Sequence, residues 1–446
     1  MTSTFTFGVA TSSYQIEGGV KEGGRTPCIW DTYAQEGNIY MNQDGSVACD
    51  HYHHYKEDIA LMKELGVNSY RFSIAWPRIF PKKGEYNPEG MQFYKNIIAE
   101  LNKNNILPCI TLYHWDLPQW AQDLQGWENR ECTQWFLEYA DKCFEELDPL
   151  LPDGSSWVTH NEPWCAAFLG YYAGCHAPGK RSLHSGIVAG HHILLSHGLA
   201  VQRFRSKFPN SKHLIGITLN LAFCEVFSSE TREHVAYLVA DGMRNRWWLE
   251  PLFNKRYPDD TLVYIALRTK SNFLFIQEGD FDIISTPIDF LGLNYYNPES
   301  PRYNPQSPTL TSYYFTGRPQ TDMGWDIVPS ALIDTFRLIR QYTQIPIFVL
   351  ENGSAWQDKV EEGKKVNDQD RIDYLLQHLD AVEKANKEGL NIRGYYCWSF
   401  MDNFEWALGY SKRFGLVYID FETQERIPKE SFYAYQKYIK EHPNGI

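Results

Sequence analysis

Eight short runs of β-branched and aromatic residues recur along the whole chain, and longer stretches with helical spacing separate them. Strands that alternate with helices pair in parallel through right-handed crossovers, so eight such units predict an α/β fold, a closed (β/α)8 TIM barrel. The predicted strands lie near Phe5–Ala10, Ser69–Ile74, Leu107–Leu112, Trp157–His160, Leu214–Asn220, Phe290–Tyr295, Ile347–Leu350 and Ile392–Trp398.

The connections between these runs also carry a helical pattern. The segment Tyr52–Leu65 has apolar residues at every third or fourth position, and Gly66 follows it. This spacing predicts an amphipathic helix that ends at Gly66 and leads into the next strand through a short loop. The repeated unit of strand and helix is typical of a barrel with parallel strands.

The chain has 446 residues, enough for about three average domains. No Ser/Gly-rich linker, low-complexity tract or abrupt change of composition divides it, so a single barrel domain over residues 1–446 is predicted. The longest interruption, Asn297–Trp325, is rich in Pro, Ser, Thr and Tyr and follows the sixth predicted strand. We interpret it as an elaborated loop, and the loops that follow the strands carry the active sites of such barrels.

Charge and aromatic content narrow the class of ligand. The formal charge is 42 basic minus 55 acidic residues, or −13, without a Lys/Arg-rich stripe, which argues against a nucleic acid or a membrane as partner. Aromatic residues make up 15% of the chain, with 14 Trp and 29 Tyr. Apolar ring faces stack on the C–H faces of sugars, so this composition favours a sugar ligand.

Cysteine usage and the lack of binding motifs limit the cofactors. Nine cysteines lie between Cys28 and Cys397 without a Cys-x-x-Cys pair, which fits neither a disulfide framework nor a zinc knuckle. Reduced thiols and a cytoplasmic location are expected, since no signal-peptide pattern or long apolar run occurs. The run His51–His54 lacks a His-Glu-x-x-His pattern and is interpreted as a solvated helix start. No nucleotide-binding motif is present, so neither a metal nor another cofactor is predicted.

Two carboxylates follow apolar runs directly, Glu162 after the fourth predicted strand and Glu351 after the seventh. These strands lie three positions apart round an eight-strand ring, so both side chains can point across one mouth of the barrel. Either residue alone would more commonly be a solvated charge or an ion-pair partner. Together, beside aromatic and amide side chains, they are typical of enzymes that cleave glycosidic bonds. The other candidate residues at strand ends are Gln15, Arg71, His114, Trp115, Asn161, Asn220, Asn294, Tyr296 and Trp398.

Several motifs are spaced over the whole chain. They read FTFGVATSSYQIEGG at residues 5–19, YHWDLP at 113–118, THNEP at 159–163, LNYY at 293–296, ENG at 351–353, WS at 398–399 and NFEW at 403–406. The first, third and fifth resemble the N-terminal signature, the acid/base motif and the nucleophile motif of glycoside hydrolase family 1, the family of the β-glucosidases. One departure is Leu350, where the family usually has Thr, but the carboxylate after it is retained.

This resemblance implies a retaining double displacement by two carboxylates. Glu351 would be the nucleophile, kept ionised by Arg71 and by a hydrogen bond from Tyr296. Glu162 would be the general acid and then the general base, with a pKa raised by the neighbouring carboxylate and by aromatic rings. Roughly 5 Å would separate the two groups, so that attack gives a covalent glycosyl-enzyme that water then opens.

The resemblance also assigns sugar contacts. Trp398 would be the floor on which the terminal sugar stacks, and its peptide bond to Ser399 would be cis. The hydroxyls would be bound by Gln15, His114, Asn161, Glu405 and Trp406. The expected substrate-binding set is completed by Trp115, Asn220, Asn294, Tyr296 and Phe414. The implied partners are β-glucosides and short cello-oligosaccharides, with galactosides and fucosides as further candidates.

Two other functions are weighed against a β-glucosidase. A 6-phospho-β-glucosidase on the same fold would need a cation and hydroxyls around the sugar's O6, where this chain has Glu405, whose charge would repel a phosphate. A non-catalytic sugar-binding barrel would be expected to have replaced one of the two carboxylates, whereas both Glu162 and Glu351 are present.

Overall fold

Eight parallel strands close into a barrel in the computed structural model, which describes residues 5–307 and 309–446. The strands follow the chain order around the ring, and the first pairs with the last. We number them β1 Thr6–Ala10, β2 Ser69–Ser73, β3 Leu107–Tyr113, β4 Ser156–Asn161, β5 Leu214–Leu219, β6 Phe290–Asn294, β7 Ile347–Asn352 and β8 Ile392–Trp398. This topology confirms the predicted α/β barrel.

All eight predicted strands are confirmed, and their ends differ from the prediction by at most two residues. The largest difference is in β7, which was expected to end at Leu350. Its backbone pairing continues, because Asn294 pairs with Glu351 and Cys397 pairs with Asn352. Polar side chains at a strand end resemble a loop in the sequence, but ladder pairing involves only the backbone.

Helices connect the strands on the outside of the ring. The predicted helix Tyr52–Leu65 is observed as His51–Leu65 and ends at Gly66, whose φ of +86° suits a residue without Cβ. The other longer helices are Pro88–Lys103, Cys132–Leu147, Leu183–Lys207, Thr231–Asp241, Asp259–Thr269, Pro329–Ile339, Gln369–Lys387 and Glu430–Glu441. The shorter ones are Ser13–Ile16, Ile29–Gln35, Trp76–Ile79, Gln119–Asp123, Trp247–Asn254 and Asp280–Ile284. Two segments, Cys165–Ala173 and Gly242–Arg246, are π-helical.

Alternate residues of β8 face opposite sides of the barrel wall. Tyr395 and Cys397 belong to the large apolar cluster between the strands and the helices, whereas Tyr396 and Trp398 belong to a smaller cluster. The smaller cluster takes residues from six strands, including Leu350, and it fills the interior of the barrel. A sugar-sized cavity lies above this interior core.

The loop predicted after β6 is present and carries a small hairpin that the sequence did not predict. Its strands are Pro301–Tyr303 and Thr311–Tyr313. A second small hairpin, beyond β8, pairs Val417–Ile419 with Arg426–Pro428. Strands of three residues are too short to show an alternating pattern in the sequence.

A buried ionic cluster fixes the loop that follows β8. Asp402 Oδ1 accepts hydrogen bonds from Lys429 Nζ at 2.7 Å and from the Gly415 amide at 2.9 Å, and Oδ2 accepts one from Arg413 at 2.6 Å. Lys429 and Asp402 are fully buried, and a buried charge persists only when it is paired. The segment from Asp402 to Gly415, which carries Glu405, is therefore anchored at both ends.

The run of histidines starts the helix His51–Leu65, but it is only partly solvated. His51 is buried, with 2.7 Å between its Nδ1 and Asp58 Oδ2, whereas His53 and His54 are partly exposed. The interpretation as a solvated helix start therefore fails for His51, because Asp58 supplies a buried partner. Within residues 5–307 and 309–446, no group of three or more His, Cys, Asp or Glu side chains could hold a metal ion.

The cysteines and the helices were also compared with expectation. All nine cysteines are free thiols, as expected, and only Cys175 is exposed. Across the described parts of the chain, no helix combines the length and the apolar character needed to cross a membrane.

Candidate active site

Irregular strand pairing accompanies both carboxylates. The register of β4 against β5 shifts between Val158 and Asn161, and that of β7 against β6 shifts beside Glu351. Such a bulge re-aims the side chains next to it. Glu162 also has a left-handed backbone, with φ of +48°, which is uncommon for a residue with a Cβ. Glu162 and Glu351 thereby line the same cavity.

Glu351 is bound on both of its carboxylate oxygens. Oε1 accepts a hydrogen bond from Arg71 Nη1 at 2.5 Å, and Oε2 accepts one from the Tyr296 hydroxyl at 2.7 Å. The same Arg71 nitrogen donates to the backbone carbonyl of Leu350 at 3.2 Å. Because Leu350 contributes only its carbonyl here, another residue type at this position would supply the same contact.

The ionisation of Glu351 does not follow from these two contacts alone. Burial raises its pKa to about 7; Arg71 and the Tyr296 hydrogen bond lower it, while the charge of Glu162 raises it. The expectation that Arg71 and Tyr296 simply keep Glu351 ionised is therefore corrected, since burial beside a second carboxylate outweighs both. Groups that interact this closely titrate together rather than one by one.

Glu162 has different partners from Glu351. Its Oε1 accepts a hydrogen bond from Asn294 Nδ2 at 2.6 Å, and its Oε2 accepts one from the Cys165 thiol at 2.9 Å. Among the residues that the structure describes, no Lys or Arg forms an ion pair with Glu162. The two carboxylates thus differ in that only Glu351 has a cation as direct partner.

A buried amide connects the two carboxylates. Asn161 Oδ1 accepts hydrogen bonds from Arg71 Nη2 at 2.5 Å and from Asn294 Nδ2 at 3.0 Å. Its Nδ2 lies 3.0 Å from His114 Nε2. Burial, and then the charge of Arg71, lowers the pKa of His114 well below its usual value, so the ring is neutral. Because Arg71 binds Glu351 and Asn294 binds Glu162, this network couples the positions of both carboxylates.

The cavity has a volume of about 520 Å³ and lies beyond the carboxyl ends of the strands. Ten of the predicted site residues line it, namely His114, Trp115, Glu162, Asn220, Tyr296, Glu351, Trp398, Glu405, Trp406 and Phe414. The other four are buried directly behind the lining residues and contact them, namely Gln15, Arg71, Asn161 and Asn294.

Aromatic rings form the walls of the cavity. The ring centroids of Trp115 and Trp406 lie 4.6 Å apart, and His114 stacks on Trp398 at 5.9 Å. The peptide bond between Trp398 and Ser399 is cis, as the resemblance implies. These walls present apolar faces of the kind that stack on the C–H groups of a sugar ring.

A third carboxylate, Glu405, enters the cavity from the loop after β8. Gln15 Nε2 lies 3.5 Å from Glu405 Oε2 and donates a shorter hydrogen bond to Asn403 Oδ1 at 3.0 Å. Burial, followed by the charges of Glu351 and Glu162, raises the pKa of Glu405 to about 8. The cavity therefore gathers three acidic side chains, whose proton affinities depend on one another.

Several lining residues were not predicted, namely Trp164, Cys165, His176, Arg244 and Trp325. Trp164 and Cys165 follow the THNEP motif directly, so their position beside Glu162 could have been inferred. Trp325 ends the loop that was identified from its composition. Arg244 left no sequence signal, because its place 4.2 Å above the Trp164 ring arises from the packing of distant segments.

Comparisons with known proteins agree with this geometry. The family model described as Glycosyl hydrolase family 1 matches residues 1–444. A Beta-glucosidase A of Acetivibrio thermocellus is 43% identical, over 98% of this chain and 97% of that protein. A bifunctional beta-D-glucosidase/beta-D-fucosidase of Bifidobacterium breve is 42% identical, over 98% of both chains. The crystal structure of a GH1 beta-glucosidase from Exiguobacterium antarcticum B7 matches with a TM-score of 0.96 and 50% identity, over 98% of both chains. This chain therefore belongs to glycosyl hydrolase family 1.

Proposed function

We propose that this chain is a retaining β-glucosidase that releases terminal non-reducing β-D-glucosyl residues from aryl and alkyl glucosides and short cello-oligosaccharides. One observation carries the proposal: Glu162 and Glu351 face one aromatic cavity, and only Glu351 has a cation as direct partner. The relatives named above are β-glucosidases, and the Bifidobacterium relative is also a β-fucosidase, which supports fucosides as further substrates.

The proposed reaction has two steps with opposite roles for Glu162. In the first, Glu351 attacks the anomeric carbon while Glu162 gives its proton to the glycosidic oxygen, so the aglycone leaves and a glycosyl ester forms on Glu351. In the second, Glu162 takes a proton from a water molecule whose oxygen attacks the same carbon, which breaks the ester. Arg71 stabilises the carboxylate of Glu351 before attack and after release, and Tyr296 fixes its orientation.

The sugar contacts are proposals that rest on the positions of the side chains. Trp398 provides the floor, and His114, Glu405 and Trp406 face the sugar hydroxyls from the cavity wall. Gln15 and Asn161 are assigned contacts that reach the sugar between these side chains. The remaining wall, toward the leaving group, is formed by Trp115, Asn220 and Phe414.

The test of the proposed function is hydrolysis of 4-nitrophenyl β-D-glucoside followed by proton NMR. The first glucose anomer to appear should be β, because two inversions at the anomeric carbon restore its configuration. First appearance of the α anomer would contradict the retaining mechanism. Intact binding of glucose without any release of nitrophenol would instead favour a sugar-binding barrel.

Glu405→Ser should weaken both glucoside hydrolysis and the rejection of a 6-phosphate. Glu405 is placed to accept hydrogen bonds from the O4 and O6 hydroxyls, and two such bonds at roughly 1.5 kcal/mol each correspond to a loss of about 10²-fold in kcat/KM. Its ionised form grows as the pH rises through about 8, and that charge repels a phosphate. The measurement is the ratio of kcat/KM for an aryl glucoside to that for its 6-phosphate, in wild type and variant.

Two outcomes would contradict the role given to Glu405. The first is an unchanged ratio in Glu405→Ser, measured at a temperature where both proteins remain folded. The second is a wild type that prefers the phosphorylated substrate, which would identify a 6-phospho-β-glucosidase.

The acidic limb of the pH profile should report Glu351. Its protonated form cannot attack, and its pKa is raised to about 7, so kcat/KM falls as the pH decreases through about 7. The charge of Glu162 contributes to this raised value, so Glu162→Gln should move the limb to lower pH. The profile is measured with an activated aryl glucoside, which needs little acid catalysis. A limb that stays in place, or moves to higher pH, would show that the two carboxylates are not coupled.

The cellular setting and the domain organisation are further parts of the proposal. Nine free thiols support a reducing, cytoplasmic location and intracellular use of cellulose-derived oligosaccharides. A single domain over residues 1–446 is supported by the pairing of β1 with β8, since the barrel needs both its first and its last strand.

A further inference from the structure

A thiol lies against the proposed acid/base residue. Cys165 begins the π-helical segment Cys165–Ala173, three residues after Glu162, and its Sγ lies 2.9 Å from Glu162 Oε2. Cys165 is buried and lines the cavity, so it contacts the carboxylate inside the site rather than behind it. The reaction proposed above gives this thiol no role.

A neighbouring amide orients the thiol hydrogen. Asn220 Nδ2 donates to Cys165 Sγ at 3.3 Å, and an amide nitrogen donates but does not accept. The thiol hydrogen therefore cannot be used toward Asn220 and is free to point at Glu162. Burial, and then the charge of Glu162, raises the pKa of the thiol well above its usual value, so it keeps its hydrogen.

The two oxygens of Glu162 differ in what they tolerate. Oε1 accepts from Asn294 Nδ2 at 2.6 Å, and a proton on Oε1 would compete with that amide donor. Oε2 faces the sulfur, which is both a weak donor and a weak acceptor. The acid proton of Glu162 is therefore better accommodated on Oε2 than on Oε1.

We infer that Cys165 is a positioning residue for proton transfer: its thiol holds Oε2 of Glu162 by donating to the carboxylate form and accepting from the acid form. The inference rests on the proposed acid/base role of Glu162. The proton that reaches the leaving group comes from Glu162 Oε2, and the thiol keeps its own hydrogen throughout.

Other ionisable groups also act on Glu162 from the surrounding elements. They are Arg244 on the π-helical segment Gly242–Arg246, Tyr296 after β6, Glu351 on β7 and Glu405 on the loop after β8. Substitution of Cys165 leaves the charges of these groups unchanged. A change in the titration of Glu162 on substituting Cys165 would therefore come from the loss of the thiol contact.

The test compares Cys165→Ala with Cys165→Ser through the basic limb of kcat/KM. Glu162 must be protonated to act as acid, so activity falls as the pH rises through its pKa. Loss of a donor to the carboxylate should move this limb to higher pH by about 0.5–1 unit in Cys165→Ala. In Cys165→Ser the hydroxyl restores a donor, so the limb should stay at the wild-type position or move below it. Equal shifts in both variants, or no shift in either, would overturn the inference.

Controls separate this inference from the proposed function and from misfolding. Cys175→Ser changes an exposed cysteine outside the cavity and should leave the profile unchanged. Glu162→Gln should abolish the basic limb; if the limb survives, the proposed acid/base role has failed. If Glu162→Gln abolishes the limb but Cys165→Ala does not move it, only the role of Cys165 has failed. Thermal unfolding identifies a misfolded Cys165→Ala variant, in which case Cys165→Val, a second variant without a donor, takes its place.

Discussion

Glu351→Gln is expected to reduce the hydrolysis of an aryl β-glucoside by roughly 10⁴–10⁶-fold, the size of loss seen when a catalytic nucleophile is removed. The amide cannot form the glycosyl ester, so the first bond to the anomeric carbon is never made. Arg71 would also face a neutral group where it now binds a carboxylate oxygen at 2.5 Å. The measurement is kcat/KM for 4-nitrophenyl β-D-glucoside, with folding checked by thermal unfolding.

Covalent labelling tests the same assignment without a mutation. A 2-deoxy-2-fluoro glucoside slows the second step, so the ester accumulates and mass spectrometry of peptides locates it. The label should lie on Glu351, and a label on Glu162 or Glu405 would refute the assignment. Glu388→Gln is the matched control, since Glu388 is exposed and pairs with Arg337 at the surface, and this variant should react at the wild-type rate.

Glu162→Gln should reveal its role through the leaving group. An alkyl glucoside needs a proton on the departing oxygen, so its kcat/KM should fall by about 10²–10⁴-fold. An aryl glucoside with a nitrophenol leaving group needs little protonation, so its first step should be nearly unaffected. Glu162 suits this role because it is buried in the cavity without a direct ion-pair partner in the part of the chain that the structure describes.

Azide gives a positive control for Glu162→Gln. This anion attacks the glycosyl ester without a general base, so it should speed turnover of the activated glucoside and yield β-glucosyl azide. It should not rescue Glu351→Gln, in which no ester forms. Equal losses for alkyl and aryl glucosides, together with no azide product, would show that Glu162 is not the acid/base residue.

The fold and the two candidate carboxylates were accessible from local patterns. Each strand could be recognised as an apolar run between helical segments, and Glu162 and Glu351 each follow such a run directly. The order of strands around the ring follows from short right-handed crossovers, so strand number gives approximate position. The small hairpin within residues 297–325 could not be predicted, because its strands of three residues show no alternation.

The sequence by itself determined the barrel, the mouth at which the site lies and the types of residue placed there, because strand and helix periodicity are local properties. The tertiary structure decided the partners and the ionisation of those residues. Arg71 and Glu351 are 280 positions apart, and their contact depends on the closure of the whole ring. The bulges that turn Asn161 and Glu351 inward depend on pairing with neighbouring strands. Burial of Glu351 beside Glu162 raises its pKa to about 7 despite Arg71, because the cost of desolvation depends on every group that surrounds the carboxylate.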